Sequence, residues 1–208
     1  MPGCTHHHPT PPAIDSRYRQ ALIAVLVINA AMFAVEGTAG LVGGSVALQA
    51  DALDFLGDAA TYALSLAVLG FALRWRASAA LLKGATMALF GAWVVGASIH
   101  HALIETVPSA PMMSGIGVAA LVANVTSAVI LFRFRSGDSN RRSVWLCTRN
   151  DAIGNVAVIA AGAAVFLTNS GWPDVVVGLV MGGLALQSAY LVIAQANQEL
   201  KAVRLGLE

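Results

Sequence analysis

Charge is scarce in this chain. Only 11% of its 208 residues are Asp, Glu, Lys or Arg and 57% are hydrophobic, whereas an ordinary soluble domain is about 25% charged. So apolar a chain lacks the polar skin that even a small soluble domain needs, which makes it an integral membrane protein. Cysteine is nearly absent as well: Cys4 and Cys147 stand far apart and suggest no disulfide. No loop of the G-x-x-x-x-G-K type is present, so energy drawn from ATP within this chain is not expected. No basic helix or aromatic-basic face occurs, which removes nucleic acid as a partner. The first nine residues, Met1 to Pro9, have no apolar core behind a basic start and do not form a signal peptide. The apolar segments are continuous rather than alternating, which excludes an outer-membrane barrel.

What is present is a series of apolar runs long enough to cross hydrocarbon, which takes about 20 residues each. They predict an all-α integral membrane protein with six transmembrane helices, near 21–43, 46–73, 79–103, 112–132, 144–168 and 174–196. A flexible tail is expected over 1–20, a six-helix body over 21–196 and a short tail over 197–208. Spans one and two are joined only by Gly43-Gly44-Ser45, a tight hairpin. Eleven of the twelve basic residues fall on one side: Arg17, Arg19, Arg74, Arg76, Lys83, Arg133, Arg135, Arg141, Arg142, Lys201 and Arg204. The positive-inside rule makes that side, and both termini, cytoplasmic. The twelfth, Arg149, lies in span five within snorkelling distance of the same side. The expected location is a cell membrane, crossed several times, with the lipid bilayer as constant partner.

Against this background the ionisable residues inside the spans stand out. A carboxylate at the centre of a span costs roughly 2.5–3.5 kcal/mol on insertion scales, so it is rarely accidental. Asp51, Asp54 and Asp58 in span two are spaced by three and four, which at about 100° per residue puts them on one helix face. That face is acceptor-only when ionised, the chemistry that a hard or borderline cation requires. Span one carries Asn29 and Glu36, also on one face, and span five carries Cys147, Asn150, Asp151 and Asn155 along one stripe.

Asp58 falls near the midpoint of span two and Asn155 near that of span five, with Asp54 and Asp151 one turn, roughly 6 Å, away. The two spans run antiparallel, so Asp54 and Asp58 are expected to meet Asp151 with Asn155 or Cys147 in one small cage. Carriers hold their substrates at this depth. Asp51, nearer the outer mouth, is expected to act as a gate or a supporting acid. Asn29, Glu36, Asn124 and Gln187 are expected to bond between helices or to line a pathway. Cys147 serves equally as a ligand or as a small apolar packer. In the tail, Cys4, His6, His7 and His8 offer auxiliary metal capture, or are simply part of a disordered Pro-flanked segment.

The run Ser45-Val46-Ala47-Leu48-Gln49-Ala50-Asp51-Ala52-Leu53-Asp54-Phe55-Leu56-Gly57-Asp58 resembles the second span of cation diffusion facilitators. Asn29, Glu36 and Gly40 are similar to that family's first span. Asp151, with Ala152, Gly154 and the run from Val156 to Ala161, resembles its second metal motif. The resemblance covers the whole six-span body. It implies a secondary transporter that exports a divalent transition metal from the cytoplasm in exchange for protons, with Asp54, Asp58, Cys147 and Asp151 as metal ligands. Cys147 stands where the family has His or Asp. Either its thiolate is a ligand, favouring a softer metal such as zinc, or Asn150 or Asn155 supplies an oxygen instead. The resemblance also implies a short form without the family's cytoplasmic C-terminal domain, and a homodimer as the family's usual assembly.

The chemistry is coherent without the family. Several carboxylates in one low-dielectric cage cannot all be ionised at once, so protons and a divalent metal compete for the same oxygens. Opening the cage inward loads metal, and opening it outward lets protons displace it. Zinc is the first choice of metal, with cobalt, nickel, iron and manganese also suited, and the ion is a substrate rather than a prosthetic group. Enzyme activity is not expected. The alternatives left open are a passive cation channel, a non-transporting membrane metal sensor and an intramembrane aspartyl protease. Leu56-Gly57-Asp58 matches the protease motif only in part, since Phe55 stands where its first glycine belongs.

Overall fold

The computed structural model describes residues 16–67, 73–134 and 139–205, with side chains except at 73, 75, 76, 139–150 and 153. These residues form six helices: α1 (Ser16–Gly43), α2 (Val46–Ala67), α3 (Leu73–Ile104), α4 (Ala110–Phe132), α5 (Ser139–Thr168) and α6 (Trp172–Arg204). Each of the six expected spans is helical over its described residues, and no strand occurs among the described residues. Several helices run past the expected boundaries at the end rich in Lys and Arg, called here the basic end. The segment 197–204, expected as tail, continues α6. At 33 residues α6 is about 50 Å long, well beyond the roughly 30 Å of hydrocarbon. Nothing in Gln195 to Arg204 breaks a helix, and Gln195 donates to Glu199 one turn on at 3.0 Å.

The opposite, neutral end has no Lys or Arg in its three connections, and its turns are sharply defined. Gly44, at φ +66°, makes the bend between α1 and α2. Ser45 then caps α2, its Oγ accepting the Leu48 amide at 3.1 Å. Pro111 and Pro173 occupy the first turns of α4 and α6, where a missing N–H costs nothing. The α3–α4 and α5–α6 connections touch so closely that a Cβ on Gly171 would lie 1.9 Å from the Thr106 carbonyl oxygen.

The broadest packing is between α3 and α6, then α1 with α2 and α4 with α5. Further contacts of α1 with α4 and of α2 with α5 close α1, α2, α4 and α5 into a four-helix body, and the α3–α6 pair lies against α2. One apolar core fills the neutral-end half, including Leu48, Leu53, Val94, Met113, Val158 and Val165. A smaller one at the basic end joins Tyr18, Leu22 and Val25 of α1 to Tyr62 and Leu131. Large side chains such as Leu82, Leu89, Leu103 and Phe166 are exposed on the perimeter, as in a protein whose solvent is lipid.

Among the described residues four stretches are long and apolar enough to cross a membrane by themselves: Ser16–Gly43, Ala77–Ile104, Ala110–Phe132 and Trp172–Arg204. The two helices not among them are α2, with three aspartates in 22 residues, and α5, whose described residues include the apolar stretch Gly154–Thr168. Their polarity is tolerated because α2 is the interior helix, touched by α1, α3, α5 and α6.

Candidate cation site

The α2 stripe faces inward along its length. Asp51 is 1% exposed, while Asp54 and Asp58, one and two turns toward the basic end, are half-buried. Asp51 is held from α5: the Asn155 Nδ2 donates to its Oδ2 at 2.6 Å. Asn155 is held in turn from α4, where the Asn124 Nδ2 donates to the Asn155 Oδ1 at 2.8 Å. This relay crosses three helices and explains why both asparagines are buried: each amide edge serves the next. It also commits the Asn155 carbonyl to Asn124, so within the relay Asn155 orients Asp51 rather than presenting its oxygen to Asp54 and Asp58.

From α1 the Glu36 carboxyl adjoins Asp51 and lies within electrostatic reach of Asp54. It is 0% exposed, and neither of its oxygens receives a hydrogen bond. Asn29, two turns toward the basic end, donates to the Val25 carbonyl at 2.7 Å, and its own Oδ1 is buried without a donor. With Glu36 opposite Asp51, the antiparallel register of α1 and α2 puts Asn29 level with Asp58.

Asp58 accepts the Tyr62 hydroxyl at 2.7 Å. Asp151 of α5 lies within electrostatic reach of Asp58, Asp54 and Asp51, and its Oδ2 is buried without a partner. The site therefore extends as a ladder of five carboxylates, Glu36, Asp51, Asp54, Asp58 and Asp151. Burial is complete at the Glu36–Asp51 rung and partial at the other three. Among the described residues no three His, Cys, Asp or Glu side chains are gathered closely enough to hold an ion between them. The side chains of Cys147 and Asn150 lie outside the described residues, as do Cys4, His6, His7 and His8.

Three residues take positions that the spacing of the sequence did not indicate. Lys83, grouped in the sequence with the basic residues of the cytoplasmic side, is the eleventh residue of α3. Its Nζ donates to the Thr61 hydroxyl of α2, and its charge reaches Asp58. Asp174, in the first turn of α6, caps another helix: it accepts from Ser45 Oγ at 2.6 Å and from the Val46 and Ala47 amides at 2.9 and 3.0 Å. These amides are the unsatisfied donors at the start of α2, and a carboxylate there also suits the helix dipole. Gln187, expected between helices or along a pathway, is exposed on the outer face of α6.

The transmembrane-domain model of the cation efflux family matches residues 22–200 of the chain. The chain belongs to the cation efflux family. Curated relatives agree with that membership. The zinc transporter ZitB of Pectobacterium atrosepticum is 28% identical over 200 residues, covering 89% of this chain and 62% of that protein. The cadmium, cobalt and zinc/H(+)-K(+) antiporter of Bacillus subtilis is 26% identical over 189 residues, covering 82% of this chain and 59% of that protein. The metal cation efflux system protein CzcD of Cupriavidus metallidurans is 23% identical over 206 residues, covering 92% and 62%. The chain thus spans about three-fifths of the length of these cation efflux relatives. It is a multi-pass membrane protein, and its carboxylate ladder lies within the family's transmembrane domain.

Proposed function

We propose that this chain carries a divalent transition metal, zinc first, out of the cytoplasm in exchange for protons. The observation that carries the reading is the inward-facing Asp51–Asp54–Asp58 stripe on the interior helix α2, met from α5 by Asp151 with an unpartnered oxygen. Carboxylates accumulate at such a depth only where a positive charge neutralises them. Relatives named for zinc, cadmium and cobalt favour a borderline metal over magnesium or calcium.

In this reading Asp54, Asp58 and Asp151 are the ligands, and Cys147 is the fourth. With Asn155 opposite Asp51, the antiparallel register of α2 and α5 makes Asp54 level with 152 and Asp58 level with 148, each within one residue of Asp151 or Cys147. Asn29 and Asn150 line the approach. Lys83 stands beside Asp58 as a tethered cation that an arriving metal displaces electrostatically. The basic end faces the cytoplasm under the positive-inside rule. Metal loads there, where the carboxylates are partly accessible, and protons reach the same oxygens from the far side. Metal and protons cannot occupy those oxygens together, which makes the exchange obligatory. A homodimer and auxiliary capture of metal by the tail are part of the same proposal.

The test is zinc uptake into proteoliposomes under an imposed proton gradient, with Asp58→Ala alongside and cobalt, nickel, iron and manganese as further substrates. Saturable flux that follows the gradient and vanishes in the variant is expected. Flux indifferent to protons means a channel, and an absence of flux for every metal removes transport from this chain.

A further inference from the structure

We infer that Glu36 and Asp51 form a second divalent-cation station, separate from the Asp54–Asp58–Asp151 group and one turn closer to the neutral end. The inference rests on the proposed export of metal and adds an ordered second stop to it. Glu36 is fully buried in a membrane-spanning helix, and both of its oxygens lack a donor. Its carboxyl adjoins that of Asp51, which is itself buried. Two ionised carboxylates are acceptor-only, so their contact is favourable only when a positive charge lies between them.

A side-chain cation does not supply that charge among the described residues. Lys83 is bonded to Thr61, about 15 Å along α2 from Asp51. Apart from a proton shared with Asp51 itself, no backbone or side-chain donor among the described residues reaches Glu36, so the pair lacks the donor that ordinary polar glue between helices has. The geometry is instead prepared on one side. Asn155 fixes one Asp51 oxygen, Asn124 fixes Asn155, and the second Asp51 oxygen, Oδ1, points toward the open backbone of Gly154, whose added Cβ would sit 3.9 Å from it. Three carboxylate oxygens are left for an ion: both of Glu36 and one of Asp51. Such a set suits a divalent metal held more loosely than by three acids. Directly beyond it lies the apolar core of Ala47, Leu48 and Val158, so the station is the last polar stop before the closed end.

The experiment measures zinc bound per chain by equilibrium dialysis of the full purified chain in detergent, always as a difference from the unsubstituted protein. Zinc on the tail then cancels. Glu36→Gln and Asp58→Ala are each expected to lose one equivalent, and the double variant two. Asp51→Asn serves as an independent second removal of the station, and size-exclusion profiles confirm that each variant is folded. If the double variant loses only one equivalent, the two rungs are a single site and the inference is wrong. It is equally overturned if Glu36→Gln and Asp51→Asn keep all their zinc and change only the protons released on binding, since the pair then holds a proton alone. Loss of one equivalent in Glu36→Gln but none in Asp58→Ala leaves the second station standing and refutes the ligand set proposed for the first.

Discussion

The α3–α6 pair and the four-helix body are made of similarly apolar helices, yet they bury different things. Among the described residues of α3 and α6 the buried polar side chains are Ser98 and Asp174, both at the neutral end. The pair is otherwise sealed by glycines against aliphatic groups, as where an added Cβ on Gly182 would be 3.1 Å from Val94 and Val95. In the body, α1, α2, α4 and α5 bury Asn29, Glu36, Asp51, Asn124, Ser127 and Asn155. Without a hydrophobic force between helices in lipid, close backbone approach and polar bonds are the two means of association. Here the pair relies on packing over most of its length, whereas the body combines close glycine approaches, such as Gly117 against Ile159 and Gly162 against Met113, with its polar contacts.

Substitutions can break that contrast. The largest expected effect lies in the body: Asp54→Ala, Asp58→Ala or Asp151→Ala each reduces proton-coupled zinc flux to background in proteoliposomes, while the folded fraction stays near that of the parent. Wild-type flux in the triple variant would sink the assignment. Second is Asp174→Ala, which leaves two α2 amides and Ser45 without their acceptor; a loss of about 3 kcal/mol is expected from charge-assisted bonds, read as a lowered thermal midpoint in detergent. Third, Gly84→Ala in α3 puts a Cβ 2.6 Å from Ile193 Cγ1 of α6, and overpacking of this kind costs about 1–3 kcal/mol. An unchanged midpoint would mean that the pair is not sealed by packing. The smallest is Asn124→Ala, where a single interhelical bond in a membrane protein is worth about 0.6 kcal/mol. Its signature is a modest slowing of zinc flux through a less firmly held Asp51, matched by Asp51→Asn.

Much of this was legible in the sequence because lipid imposes simple rules. Apolar runs gave all six helices, and the three-and-four spacing of Asp51, Asp54 and Asp58 gave one inward face. Helix ends at the basic end were less legible, because hydropathy marks where hydrocarbon stops and not where a helix does; α6 runs on to Arg204 on good helix formers. Membership of Asn155 in the site followed from its stripe with Asp151. Its partner did not, since span midpoints cannot fix the register of two tilted helices, and Asn155 meets Asp51. Lys83 read as one more cation of the cytoplasmic side because the apolar run begins near it. Asp174 had no local signal at all, as its partners are more than a hundred residues away in sequence.

That carboxylate has a mechanical consequence. By grasping the first turn of α2 from the first turn of α6, Asp174 removes the freedom of α2 to spin about its own axis. A change in the facing of the Asp51–Asp54–Asp58 stripe would therefore break these bonds or carry with it the start of α6, against which α3 is packed. On the other side α1 is fastened to the start of α4, where the Ser109 amide donates to the Gly43 carbonyl at 2.9 Å. Gly44, at its positive φ, is the joint between these two fastened pieces, and α1 and α2 remain broadly packed against each other beside it.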